Sequence, residues 1–442
     1  MAFFLPFSGH ALTSQTTANQ IQGTPPYLTF DGGRTRAVDV NGLLGITLSD
    51  GTHYTPSTNL SSTTPIVLPV EGQSFADISM FVPTDTNSVD LSTLIGPPNN
   101  YWGDDDGDAD VTATGSLSLS IVDKNNQSVS RNSVLTVCNA PYKVTLSSSN
   151  GTLSTRYGFP NRSTFRESSV TYYVNPKAGP VVCFARPNLK FGKLGDYPSI
   201  PSWDFAGPAS MWDPAKGFLT QSTDPSLYGR NFPTTGANKL YFDLDISGSS
   251  QPLSWSPVSH GGITAIMSNS TATSVRVTLT GPYTTYSQQS SSTPSRLPTI
   301  SLPQTFELVG RDSNGTPVVR YGFTLKQWFV IRGSVMSAYS NALSWCSRIG
   351  GYRLPKVKDL TNSNRNSLGA TPSSPGNHFM RHIGSGFFSE WSYMRDYSAG
   401  FYYGWYWTSD PYDSNQFFVI TDQGFMNDTE SYNPSYVLCV YP

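Results

Sequence analysis

Short runs in which apolar and polar residues alternate recur along most of this chain, separated by turn-forming residues. "SLSLSIVD", "KVTLSSSNGTLSTRYGF" and "TFELVGRD" are examples. Alternation with period two marks a strand with one buried and one wet face. Asn41-Gly42, Asn150-Gly151 and Asn314-Gly315 supply pairs that accept positive φ, and each is predicted to close a tight hairpin. No helical pattern separates these runs before residue 334, so antiparallel sandwiches are predicted rather than strand–helix–strand units. "SLSIVDKNNQSVSR" (118–131) is echoed by "TFELVGRDSNGTPVVR" (305–320), and "RYGF" occurs at 156–159 and 320–323. Two such matches suggest related sandwich modules or a recurrent hairpin without establishing a repeat.

The pattern changes after Gly333. Met336, Tyr339, Leu343 and Cys346 fall at three- and four-residue spacing and predict an amphipathic helix. In "GGYRLPKVKDL" (350–360), Pro355 is placed to open a second helix. The segment between 190 and 242 carries many Pro, Gly and aromatic residues without a period and reads as a long loop over the sheets. "TTYSQQSSSTPSRLP" (284–298) reads as an exposed loop or linker.

Composition sharpens this picture. The 442 residues suffice for two to four domains with a sizeable core. Charged residues are only 13% and the net charge is −2, so no field exists to attract nucleic acid or an acidic membrane. No apolar run is long enough to cross a membrane as a helix. Four cysteines, Cys138, Cys183, Cys346 and Cys439, show neither C-x-x-C nor zinc spacing. Their even number favours two disulfides and an oxidising compartment over four buried thiols. At the N-terminus "AFFLPF" and the small residues Gly9 and Ala11 read as the tail of an export signal, followed by a flexible lead-in to residue 25.

Candidate chemistry is sparse. Asp104, Asp106, Asp108 and Asp110 alternate in "YWGDDDGDADV". They read either as a calcium loop or as a solvated acidic turn. The EF-hand pattern is not met, since the glycine stands at loop position 4 and position 12 is Gly115, which favours the turn. Calcium is the one cofactor this raises. His378 and His382 have i,i+4 spacing but lack the glutamate of H-E-x-x-H and sit among helix breakers. His260-Gly261-Gly262 has no G-x-S-x-G partner and reads as a turn. In "FYYGWYWTSDPY" (401–412), alternation puts Trp405 and Trp407 on one face of a strand and Tyr406 on the other. The tryptophans suit a core, while Tyr402, Tyr403, Tyr406 and Tyr412 form a candidate contact platform for a protein or glycan.

"ALSWCSRIGGYRLPKVKDL", "YYGWYWTSDPYDSNQFFVITDQGF" and "PSYVLCVYP" occur in the order of a C-type-lectin-like module of bacterial surface proteins, which residues 334–442 resemble. That resemblance implies a disulfide between Cys346 and Cys439. Upstream, "CNAPYKVTLSSSNGTLSTRYG", "VNPKAGPVVCFARPNL", "NFPTTGANKLYFDLDI", "LPQTFELVGRD" and "RYGFTLKQWFVIRG" resemble the adhesion region of intimin- and invasin-like proteins, and the combination is similar to Zir-type exported proteins. Within that likeness Cys138 is expected to pair with Cys183. Neither Glu-Pro-Asn nor Gln-Pro-Asp is present, and Asn427-Asp428 follows Met426 rather than Trp, so calcium-dependent sugar binding is not implied.

The resulting expectation is a mostly β protein: Ig-like antiparallel β-sandwich regions at 26–190 and 191–333, then an α+β C-type-lectin-like domain at 334–442. The expected function is that of a non-catalytic adhesin, secreted or presented at the bacterial surface, that binds a host or bacterial surface partner, with a host-cell surface protein or glycan the expected ligand. An intimin-like outer-membrane β-barrel transporter would be its export partner. The alternatives are a glycan-active extracellular enzyme with a lectin-like binding module and a secreted regulator acting through its own transporter.

Overall fold

In the computed structural model, which describes residues 22–442, the alternating runs form mainly antiparallel sheets. The export-signal reading lies outside the described residues. The chain divides into two units, 1–178 and 179–442.

The first unit is built on a five-stranded sheet with the spatial order Ile66–Val67, Ser168–Asn175, Tyr142–Ser148, Ser116–Val122 and Ser88–Asp90. Arg162–Phe165, Gly151–Ser154 and Thr112–Ala113 form a three-stranded sheet. The alternation resolves as predicted. Leu117, Leu119 and Ile121 are buried from one strand and Tyr142, Val144 and Leu146 from the next, while the serines and threonines between them face outward or sit half-buried.

The second unit holds three sheets. A seven-stranded sheet is centred on Val181–Arg186, Tyr241–Ser247 and Ser274–Thr280. Ser254–Trp255, Gln304–Arg311 and Pro317–Leu325 form a three-stranded sheet. The third has the order Thr235–Ala237, Gln327–Ser337, Ser435–Tyr441, Trp405–Tyr412, Asn415–Ile420 and Met426–Glu430. One buried core runs through all of it, from Val182 to Val440.

Val181–Arg186 pairs with Tyr241–Ser247, which assigns it to the second unit. The Gln327–Ser337 strand runs straight across 333/334. It pairs in parallel with Thr235–Ala237 over Gln327–Phe329, and antiparallel with Ser435–Tyr441 on both sides of a register shift between Ile331 and Met336, so a cut there would divide its pairing with the last strand.

Local signals fared unevenly. Asn314-Gly315 closes a hairpin between Gln304–Arg311 and Pro317–Leu325, with Gly315 at φ 81°. Asn41-Gly42 instead opens a 3₁₀ turn. Asn150-Gly151 lies where the chain leaves the five-stranded sheet for the three-stranded one. Gly261-Gly262 closes a two-residue hairpin, His260 opposite Ile263, with both glycines at positive φ.

The predicted helix forms at Tyr339–Arg348, buries Ala342, Trp345 and Cys346, and leaves Leu343 exposed. Met336 belongs to the preceding strand. Pro355 stands just before the short Val357–Leu360 helix, whose N-terminal amides are held by Asp359 and Asp410. Gly350 and Gly351 reverse the chain at φ 93° and 78°. A Cβ on Gly351 would lie 2.8 Å from the Tyr441 ring. The segment between 190 and 242 is not merely draped: Phe205, Trp212, Phe218 and Phe232 from it are core residues.

Cys346 and Cys439 are bonded, with Cα atoms 5.5 Å apart across 93 residues. Cys138 and Cys183 are disulfide-bonded as well, and no cysteine is free.

Candidate functional site

The Trp405–Tyr412 strand lies inside its sheet, between Ser435–Tyr441 and Asn415–Ile420. Both of its faces are covered, so the tyrosine platform is only partly assembled. Tyr406 is fully buried. Its hydroxyl donates to the Tyr402 carbonyl and accepts from the Tyr402 amide, both at 3.1 Å, and burial pushes its pKa up. It is therefore a core residue that pins the turn before it. Tyr412 sits at the far end of the strand, ~20 Å away at 3.3 Å per residue, partly buried against Phe417 and Arg365. Trp407 is buried as expected and donates its indole N–H to the Ser337 carbonyl at 2.7 Å.

Tyr402 and Tyr403 do reach the surface, 43% and 48% exposed. Tyr402 stacks on Tyr436 at 5.7 Å and 11°, and Tyr436 stacks on Tyr406. Gly404 makes this possible: at φ 152°, a Cβ there would lie 2.6 Å from the Tyr436 ring. Tyr403 lies under the Arg395 guanidinium, 5.0 Å from the ring centre, and Arg395 also covers Tyr393. Arg395 reaches the Asp422 carboxylate at 3.4 Å. Burial raises the pKa of Asp422 and Arg395 opposes that rise. Burial also raises the pKa of Tyr403, helped by the Asp422 charge. The turn is thus fixed by side-chain contacts rather than left free.

Beside it lies a hollow of about 390 Å³, lined by Met336, Tyr403, Trp405, Phe418, Ile420 and Tyr436. Met336 is 47% exposed, and nearby in sequence Tyr432 projects from the turn before the last strand, with its hydroxyl bonded to Glu430. An apolar floor with tyrosine hydroxyls and an exposed thioether at the rim suits a desolvated anchor from a partner. Sequence reasoning missed Met336, Arg395 and Tyr436. "SYNPSY" at 431–436 carried a signal, since two tyrosines flank a turn immediately before a strand.

The acidic stretch does not form a cage. Asp104 accepts the Asp108 amide at 3.0 Å, Asp105 pairs with Arg36, Asp106 accepts the Thr24 amide, and Asp108 lies 3.4 Å from the Tyr157 amide. The side chains, including exposed Asp110, serve separate partners or solvent. Among the described residues no group of three or more His, Cys, Asp or Glu is placed to hold a metal.

The histidines are structural too. His378 is buried, stacked on Trp203 at 4.8 Å, and its pKa is lowered by burial. The His382 ring lies against the Ile383 carbonyl and Ser385. The most enclosed acid is Glu390. It is fully buried and accepts from the amides and hydroxyls of Thr234 and Thr235 and from the Gly384 amide. Arg381, equally buried, donates to the carbonyls of Asn188, Lys190 and Glu390 and covers the Trp212 ring at 4.0 Å. With this many internal partners, both groups serve the fold.

The chain is thus mostly β and closed by disulfides, with an aromatic recess on its last sheet. Over 127 residues, 26% of this chain, it is 29% identical to the inverse autotransporter adhesin YeeJ of Escherichia coli strain K12; the match spans 5% of that adhesin's length. Among solved structures, invasin, a bacterial integrin-binding protein, aligns with 75% of this chain and 50% of its own at a TM-score of 0.36 and 14% identity. A C-terminal intimin fragment in complex with the translocated intimin receptor aligns with 75% of this chain and 94% of its own at a TM-score of 0.30 and 12% identity. No family model matches. Over the 127 matched residues the chain is thus similar to an inverse autotransporter adhesin. No helix among the described residues is long and apolar enough to cross a membrane.

Proposed function

We propose that this protein is a non-catalytic bacterial adhesin, presented at the surface or released, that engages a host-cell surface protein through the recess formed by Tyr403, Trp405, Tyr436 and Met336. The observation that carries this reading is the fixed, exposed Tyr402-Tyr403 turn bordering an apolar hollow. Rigid aromatics lose little conformational freedom on binding, which is why such residues dominate interface energetics. The sequence match to a named adhesin supports the class. The buried Glu390, saturated with internal donors, is not available as a catalytic acid, which supports the non-catalytic reading. The C-type-lectin-like character of 334–442 and delivery through an intimin-like barrel belong to the same proposal. The Cys346–Cys439 bridge between the first helix of that region and its last strand supports the former.

The test is attachment of beads carrying the full chain to cultured host cells. Met336→Asp and Tyr403→Ala, both at exposed positions, should each weaken attachment by about 10- to 30-fold in apparent affinity, as expected for hot-spot truncation of 1.4–2 kcal/mol. Unchanged attachment by both variants would refute the placement of the site.

A further inference from the structure

A second concavity lies on the other side of Tyr402. It is a cleft of about 610 Å³ in the second unit, with Phe329, Val330 and Ile331 in its floor and Tyr283, Tyr402, Asn238, Gln289 and Lys239 around it. Its size is that of a small-ligand site. We propose that this cleft binds a saccharide carrying one carboxylate, with Lys239 as the charge that selects it. The site is separate from the Met336 recess and does not depend on what that recess binds.

Three observations carry the assignment. First, Tyr283 and Tyr402 are 59% and 43% exposed, and one face of the Tyr402 ring is already held by Tyr436. Such rings offer an apolar face and a polar edge together, which matches a sugar's C–H face and hydroxyls. Second, each lining amide is anchored at one end and unengaged at the other. Asn238 Oδ1 accepts the Gly281 amide at 3.2 Å while its Nδ2 has no hydrogen-bond partner among the described residues. Gln289 Nε2 donates to the Thr284 carbonyl and hydroxyl while its Oε1, beside Gly333, accepts no hydrogen bond among the described residues. One spare donor and one spare acceptor, both on oriented amides, suit sugar hydroxyls.

Third, Lys239 stands at φ 70°, a turn conformation that glycine or asparagine takes at less cost. Among the described residues its ammonium makes no ion pair and no hydrogen bond. Among the described residues it is the one charged residue lining the cleft. A single unpaired cation among neutral amides, hydroxyls and tyrosines suits one carboxylate rather than a polyphosphate, which needs several donors.

An extended peptide fits less well. The strand edge it would pair with is partly capped, since the Thr284 hydroxyl donates to the Ile331 carbonyl at 2.6 Å.

The experiment titrates the full chain with sialyllactose and, separately, with neutral lactose, by calorimetry and saturation-transfer NMR. Sialyllactose should bind saturably and at least tenfold more tightly than lactose. Lys239→Gly, which removes the charge and relieves the backbone, should abolish that preference with an unchanged melting temperature, and Tyr283→Ala should weaken both sugars. Equal affinity for the two sugars, no saturable binding of sialyllactose, or a preference that survives Lys239→Gly would each overturn the proposal. So would displacement of the tyrosine resonances by an extended peptide but by neither sugar. Met336→Asp separates the two readings: it should leave sialyllactose affinity unchanged while reducing cell attachment.

Discussion

The two units are both β, yet their interiors are held by different chemistry. The first is filled mainly by aliphatic residues, among them Leu43, Leu44, Ile46, Leu117 and Val144, with few rings. The second buries Trp212, Trp328, Trp345, Trp391 and Trp407 almost completely, and among them an arginine and a glutamate. Apolar burial is non-directional and degrades gradually under substitution. A buried polar network is satisfied as a whole, and losing one member leaves several others without partners. The first unit should therefore tolerate conservative changes that the second does not.

The strongest way to break this contrast is to open the second unit's covalent loop. Replacing both Cys346 and Cys439 by Ser releases a closed loop of 93 residues, which in the chain-entropy model is worth about 4–5 kcal/mol. Calorimetry should show the second unit's transition falling steeply while the first unit's is unmoved. Glu390→Ala comes next. It leaves the donors of Thr234, Thr235 and Gly384 unpaired in a fully buried site, a loss of about 3 kcal/mol or more by analogy with breaking buried charge networks. Glu390→Gln should cost less, because an amide oxygen still accepts some of these bonds; a chemical-denaturation series on both variants measures the difference.

Acid should act more weakly and again on one unit. Burial lowers the pKa of His378 below its ordinary 6.5, so the folded ring stays neutral while the unfolded chain takes up a proton. The unfolded state then binds more protons, and stability present above pH 6.5 declines as the pH falls below it. The second unit's melting temperature should drop between pH 7 and pH 5, and His378→Phe should flatten that slope. The smallest effect belongs to the first unit. Asp106→Asn and millimolar calcium should each shift its transition by no more than ~0.5 kcal/mol, as for ordinary surface positions. A clear calcium-dependent rise in melting temperature would reinstate a metal site there.

The repeated "RYGF" shows what the sequence could and could not reveal. At 156–159 it lies in a loop, with Tyr157 and Phe159 about half exposed; at 320–323 it lies in a strand, with Tyr321 and Phe323 buried. Four residues do not decide burial, because the strand around them does. The longer echo has a local cause. Asp123 accepts the amides of Asn125 and Gln127, and Asp312 accepts those of Asn314 and Thr316, so both copies carry the same aspartate-capped turn. Period-two alternation was readable wherever one face of a strand is wet, as in Ser116–Val122. It failed for Trp405–Tyr412, which is covered on both faces and whose register shifts after Trp407. That is why Tyr406 was placed at the surface. Glu390 and Arg381 gave no warning, since Thr234 and Thr235 on the one and Asn188 and Lys190 on the other come from segments over 150 residues away in sequence.

The Gln327–Ser337 strand, which continues through a register shift between Ile331 and Met336, bears on how such proteins exchange parts. A recombination joint at the apparent seam near residue 333 would give each product half of a ladder and an open edge prone to aggregation. Joints near 178/179 leave every strand of the second unit with its partners. Within 179–442 the recess around Met336 stays together with the ladders that position it, and a chimera joined at 334 should be recovered mainly as insoluble protein.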